Sequence, residues 1–325
     1  MLSRVAESMY WMSRYIERAE NVARFISVNL NLSLDLPGET EQQWGPLVVT
    51  TGDDAAFRHR YASPTRQNVI QFLTFDRENP NSILSCLRAA RENARGIREV
   101  LSSEMWEHVN KFYLMVRDSG VYSALTNPYE FYEQVRVSGQ QFVGVTDATL
   151  THGEGWQFCQ LGRSIERADK TSRILDVKYF ILLPNPSDVG TPFDDIQWAA
   201  LLRSASALEM YRQRHGPLAP GRVVEFLVLD REFPRAVLHC LTRANEALHA
   251  ITGAALGGFT NAAEKRLGQL RSELAYVRAE EIVSAGLHEF VDDLQVRLNL
   301  VGEAVYDAFF APRPLESLKS PRFSL

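Results

Sequence analysis

Cysteine is scarce in this chain: Cys86, Cys159 and Cys240 are the three in 325 residues, with no Cys-x-x-Cys and no histidines at zinc-ligand spacing. An odd, scattered set excludes a disulfide framework and a Cys/His zinc site. It leaves reduced thiols packed as small apolar groups, which predicts a cytoplasmic protein. Long apolar runs are missing as well. No window approaches the roughly 18–20 apolar residues of a membrane span, and the opening MLSRVAESMYWMSRY holds no continuous apolar stretch of the secretory kind. No membrane is expected among the partners. Nor is there a strong charge imbalance. The formal net charge of −5 and pI near 5.9 offer no global reason to expect nucleic acid, although arginines are frequent enough for a local basic patch.

Familiar catalytic signatures are absent too. The chain has no G-x-x-x-x-G-K-[ST] loop and no G-x-G-x-x-G after a strand, so a nucleotide fold is unsupported. Asp53–Asp54, Asp194–Asp195 and Asp292–Asp293 lack the third acid of a magnesium-binding D-D-x-x-D. No serine or cysteine sits in a recognisable nucleophile motif. Intrinsic catalysis is not visible, and no cofactor is predicted on this chain.

What the chain does have is an ordinary globular composition, 45% apolar and 23% charged, and a pattern written twice. RYIERAENVARFI (14–26) matches RSIERADKTSRIL (163–175) without a gap, 149 residues later. FLTFDRENPNSILSCL (72–87) matches FLVLDREFPRAVLHCL (226–241) at an offset of 154, which Trp44 and Trp198 share. The five extra residues fall before Trp198, around LLPNPSDVGTP. The predicted fold is all-α: an internally duplicated helical bundle with two pseudo-symmetric halves of about 150 residues. Repeat one is 1–150 and repeat two 151–312, in one domain over 1–312, with a proline-bearing mobile tail at 313–325.

Each half reads as helices. With Ile16 at zero and about 100° per residue, Met9, Met12, Tyr15, Ala19, Val22, Ala23 and Ile26 share one broad arc, a core face. Helical patterns follow over 65–75, 81–101, 103–117 and 129–150, then 155–182, 193–215, 220–229, 235–251, 260–284 and 287–310. WGPLVVTTG comes nearest to a strand, but its repeat partner WAALLRSAS looks helical. Pro80 and Pro234 stand where helices would begin, while Gly38 and Gly190 mark loops.

Beside the core face runs a polar stripe, Arg14, Glu17, Asn21 and Arg24, repeated as Arg163, Glu166, Lys170 and Arg173. The spacing lets Arg14 meet Glu17, and Glu17 meet Asn21, along the helix. Two readings are open. In one, each glutamate is clamped by an arginine and fixes the register between helices. In the other, the stripes converge on a pocket whose guanidinium groups hold a carboxylate or phosphate, with Glu17 or Glu166 as base. A second cluster, Arg91, Glu92, Asn93, Arg95, Arg98 and Glu99, loses charge in the other half, where Arg91, Arg95 and Arg98 become Asn245, His249 and Thr252. That asymmetry suits either a working site or a more exposed helix. Glu246 and His249 form a single Glu-x-x-His, whereas a helical di-iron site needs two plus further glutamates. Arg95 occupies the matching ligand position, so no metal site is predicted.

LSRVAESMYWMSRYIERAENVARF, ARENARGIREVLSSEMWEHVN and LGRSIERADKTSRILDVKY together resemble the bacterial Alpha-E family, over nearly the whole chain to about residue 310. Carried over by position, the family's Glu-Arg motif falls on Glu17–Arg18, with Glu166–Arg167 as its repeat. The resemblance implies an all-helical fold and a circularly permuted ATP-grasp protein as companion, with transglutaminase-like proteases and a proteasome-like hydrolase in the same settings. It further implies a role in ATP-dependent amide- or peptide-bond formation, with ATP and magnesium on the partner. Three roles follow for this chain. It is an accessory subunit presenting a peptide or acidic small-molecule substrate, a stand-alone helical enzyme using Glu17 or Glu166, or a purely structural scaffold.

Overall fold

The computed structural model describes residues 1–35, 44–181 and 192–312, and these are all-helical with no strand. In the first half come α1 (Ser3–Asp35), α2 (Gly45–Thr51), α3 (Asp54–Arg60), α4 (Arg66–Ile70), α5 (Ile83–Gly96), α6 (Ser103–Thr126) and α7 (Pro128–Thr149). Then follow α8 (Glu154–Ile181), α9 (Pro192–Ser204), α10 (Leu208–His215), α11 (Pro220–Val224), α12 (Val237–Thr252), α13 (Ala262–Tyr276), α14 (Ala279–Ala285) and α15 (Leu287–Val305). Three helices run on into π-helical turns: α4 into Gln71–Phe75, α11 into Glu225–Leu229 and α15 into Tyr306–Phe310. The tail from residue 313, the LLPNPSDVGTP insertion except Pro192, and the loops at Gly38 and Gly190 lie outside the described residues.

Helices α1 and α8 form the central pair. Helix α1 also packs on α5 and α7, and α8 on α12 and α15. Met9, Met12, Ile16, Ala19, Val22, Ala23 and Ile26 are buried as the helical arc requires, while Tyr15 is half-buried and stacks on Trp11. Each large apolar side chain withdrawn this way contributes about 1.5–3 kcal/mol. The two axes approach closely at Gly162, where a Cβ would sit 2.4 Å from the Tyr10 carbonyl oxygen. Only glycine lets the backbones meet there.

Several expected helices are shorter or broken, for local reasons. The stretch nearest to a strand, WGPLVVTTG, holds α2, closed by Gly52 in the left-handed conformation (φ 81°). The span 193–215 divides at Ser206, whose φ of 50° interrupts the helix and turns its hydroxyl towards Arg24. The span 260–284 divides where Val277 and Arg278 are extended. Pro80 and Pro234 are not first-turn residues. They lie in turns ahead of α5 and α12, nucleated by Asp76 and Asp230, whose carboxylates accept from the Glu78 and Glu232 amides. The Cys86 and Cys240 thiols donate back to the Pro80 and Pro234 carbonyls, at 3.6 and 3.5 Å. Among the described residues no helix is long and apolar enough to cross a membrane.

Candidate functional site

The polar stripes of α1 and α8 face each other and exchange partners. Arg18 of the first Glu-Arg pair grips Glu166 of the second, through Nε at 2.7 Å and Nη2 at 3.0 Å. Arg167 of the second grips Glu17 of the first, through Nε at 2.9 Å and Nη2 at 2.8 Å. Both are two-pronged guanidinium–carboxylate contacts, the strong geometry for this pair. Arg14 adds a third bond to Glu166 at 2.8 Å, and Lys170 lies 3.5 Å from it. On Glu17, Arg235 donates at 3.1 Å and Asn21 at 2.9 Å. So Glu17 and Asn21 meet along the helix as their spacing predicts, whereas Arg14 turns away from Glu17 to the other helix.

A second tier flanks these pairs. Glu20 accepts from Arg24 and Arg235, while Asp169 accepts from Lys170 and Arg173. Arg24 also reaches Ser206, and Arg173 the Thr50 carbonyl at 3.3 Å. Arg163 donates only to Gln160 among the described residues. Sequence reasoning had missed Glu20, Asp169, Arg235 and Asn81. The first two could have been found from their four-residue spacing to Arg24 and Arg173. Arg235 and Asn81, which accepts from Arg18 at 2.8 Å, occupy one position of the 154-residue match as different residue types.

The carboxylates are sealed. Glu17 is 2% exposed and Glu166 0%, with the outer edges of Arg14, Arg18 and Arg167 reaching solvent at 13–17%. Burial by itself would push both glutamates up. Arg167 and Arg235 outweigh it at Glu17, as Arg18, Lys170 and Arg14 do at Glu166, and both are held well below the usual carboxylate range. Asp169 is brought down to about 2 by Lys170 and Arg173 against the same opposition. Burial pushes the neighbouring Cys86 and Cys240 thiols up to about 12, leaving them protonated and unreactive. A glutamate ionised at neutral pH whose oxygens are filled by guanidinium donors has little capacity to accept a proton from a substrate.

The second cluster lies apart, at the surface of α5 and the turn after it. Arg95, Arg98, Glu92 and Glu99 are exposed, while Arg91 and Asn93 are half-buried. Glu92 pairs with Arg95 at 2.6 Å and Arg91 at 3.1 Å, Arg91 bonds Asn110 at 2.7 Å, and Asn93 returns to the Ala89 carbonyl. Arg91 and Arg98 also lie over the Trp106 ring, at 5.9 and 5.4 Å. In the other half, Asn245 and His249 are buried, and His249 bonds the Ala254 carbonyl. The difference in charge thus follows a difference in exposure. Two surface grooves are also present, of about 480 Å³ between Gly45 and Pro64 and about 360 Å³ around Phe226 and Pro234. Neither is lined by Glu17 or Glu166.

Fold and seam together define an all-helical domain locked by two Glu-Arg pairs that trade partners between its central helices. Residues 1–310 match the profile of Alpha-E, described as "a predicted alpha-helical domain with a conserved ER motif", and the chain belongs to that family. Uncharacterized proteins of Mycobacterium bovis and Mycobacterium tuberculosis are 22% identical to it over 305 residues, 86% of this chain and 33% of theirs. A protein from a further M. tuberculosis strain is 21% identical over the same shares. The chain therefore spans about a third of the length of the curated relatives it matches. No solved structure matches it.

Proposed function

We propose that this chain is a non-catalytic helical subunit that docks on an ATP-dependent ligase of the circularly permuted ATP-grasp type. It would help present a peptide or acidic substrate for amide-bond formation in the cytoplasm, with ATP and magnesium held by the partner. The observation that carries the non-catalytic part is the state of Glu17 and Glu166: ionised, buried and saturated by arginines. That geometry suits a clamp fixing α1 on α8 and argues against either glutamate as a base. The partner part rests on the Alpha-E resemblance. It is supported by the relatives, in which two thirds of the chain lies outside the match and leaves room for other activities.

The clamp reading is joined to a second one, that the chain is two copies of one helical unit, repeat one 1–150 and repeat two 151–312. Phe57, Tyr61 and Phe72 form a ring trio with centroids 5.1–5.8 Å apart, and Tyr211, His215 and Phe226, each 154 positions on, form another at 5.1–5.8 Å. The Arg60–Asp76 pair recurs as Arg214–Asp230 at the same spacing, and so do the π-helical turns at 71–75 and 225–229. The reciprocal Glu-Arg exchange is what two such units related by a pseudo-twofold axis would make.

Co-expression with a circularly permuted ATP-grasp protein tests the role. The expected result is co-purification, with ATP turnover in the presence of candidate peptides and amino acids changed by this chain. Separate elution and unchanged turnover would sink the proposal.

A further inference from the structure

The charges of the seam do not cancel. Around Glu166 and Asp169 stand Arg14, Arg18, Lys170 and Arg173, with Asp53 joined to Arg18 through Asn81. Around Glu17 and Glu20 stand Arg24, Arg167 and Arg235, with Arg163 close enough to feel both Arg167 and Glu17. The Glu17 side thus sets four cations against Glu17, Glu20 and Asp147, the last close enough to act on Arg163 without bonding it. Arg235 stands there where Asn81 stands on the other side, and Ala207 occupies the place of Asp53, each 154 positions on.

Arg163 is the residue left over. Its counterpart Arg14 bonds Glu166, but Glu17 already accepts from Arg167, Arg235 and Asn21. The other nearby acid, Asp147, accepts from the Trp156 indole at 3.0 Å and from Gln160 at 3.4 Å. Among the described residues Arg163 therefore has no carboxylate partner, only the Gln160 side chain. It is half-buried and shares one face of α8 with Arg167, a turn away. Burial, then Arg167, push its guanidinium down from its ordinary value. Two like charges at this spacing repel, and Glu17 and Asp147, which attract Arg163 without bonding it, compensate its burial only in part. An oxygen anion between them would remove both penalties, and guanidinium groups bind such anions with paired bonds.

We propose that Arg163 and Arg167, on one face of α8, form a seat for an oxyanion, a phosphate or carboxylate group on a small molecule or peptide. The seat is independent of docking: a chain that binds its partner and no anion refutes this proposal alone.

Calorimetry and thermal melting of the full chain test it, with inorganic phosphate and with glutamate at matched ionic strength. Saturable binding of either anion with a rise in melting temperature is expected, and which one binds identifies the source of the group. Arg163→Gln is expected to weaken that binding by about tenfold or more without lowering the anion-free melting temperature. Arg163→Lys keeps the charge but loses the fork, and is expected to bind more weakly than wild type if Arg163→Gln does not fold. Absence of saturable binding for both anions, or unchanged affinity in the folded variant, overturns the proposal.

Discussion

Replacing Glu166 by glutamine tests the clamp directly. The side chain keeps its shape, so packing against α1 is preserved and only the charge is lost. Three hydrogen bonds from Arg14 and Arg18 converge on it, with Lys170 at 3.5 Å. In the variant those cations face a neutral amide whose NH2 group is itself a donor. Removing one partner of a buried pair costs about 3–5 kcal/mol. Here the edges of Arg14 and Arg18 reach water and recover some hydration, so about 3 kcal/mol is expected. Urea unfolding followed by circular dichroism at pH 7 measures it. The pH dependence supplies a second reading. The folded-state pKa of Glu166 lies below its ordinary 4.5, so its stabilisation is complete above that value and drains away as pH falls further. The gap between wild type and Glu166→Gln should therefore shrink below about pH 4.5. A loss under about 1 kcal/mol at pH 7, the scale of an exposed pair, would refute the clamp.

Other perturbations follow from the same geometry. Gly162→Ala places a methyl group 2.4 Å from the Tyr10 carbonyl oxygen, a backbone atom unable to rotate aside, and should cost about 2–3 kcal/mol in the same unfolding assay. All three thiols are buried, with Cys159 raised to about 11 and the others to about 12. An aromatic disulfide reagent at pH 8 should titrate almost none in the native protein and three after denaturation. His288 Nδ1 lies 2.6 Å from Asp176, which raises its pKa above 6.5. The stabilisation it contributes is full below pH 6.5 and lost as pH rises through the folded value, so NMR titration should find that value lowered by Asp176→Asn. Arg95→Ala, on the exposed pair with Glu92, should change stability by no more than about 0.5 kcal/mol.

Much of the fold could be read in one dimension because helix periodicity is a local property. The core arc of α1 came out as buried save for Tyr15, whose ring lies at the edge and packs on Trp11 and Arg18. Breaks inside helices were harder to see. Ser206 adopts a positive φ that its residue type does not announce, and no proline or glycine marks Val277. The second cluster was ambiguous because charge asymmetry has the same appearance whether it comes from a site or from exposure. In the structure the charge difference runs with a difference in exposure, Asn245 and His249 being buried.

The sequence by itself determined that this protein is helical, where its two Glu-Arg stripes lie, and that each sits beside a core face. The identity of each glutamate's partner was decided only by tertiary structure. Spacing along one helix offers Arg14 to Glu17, yet Arg14 goes to Glu166, Arg18 joins it, and Arg167 crosses back to Glu17. The physical reason is that a partner on another helix depends on where two helix axes cross. That crossing is set by contacts such as Gly162 against the Tyr10 backbone, between residues some 150 positions apart in the chain.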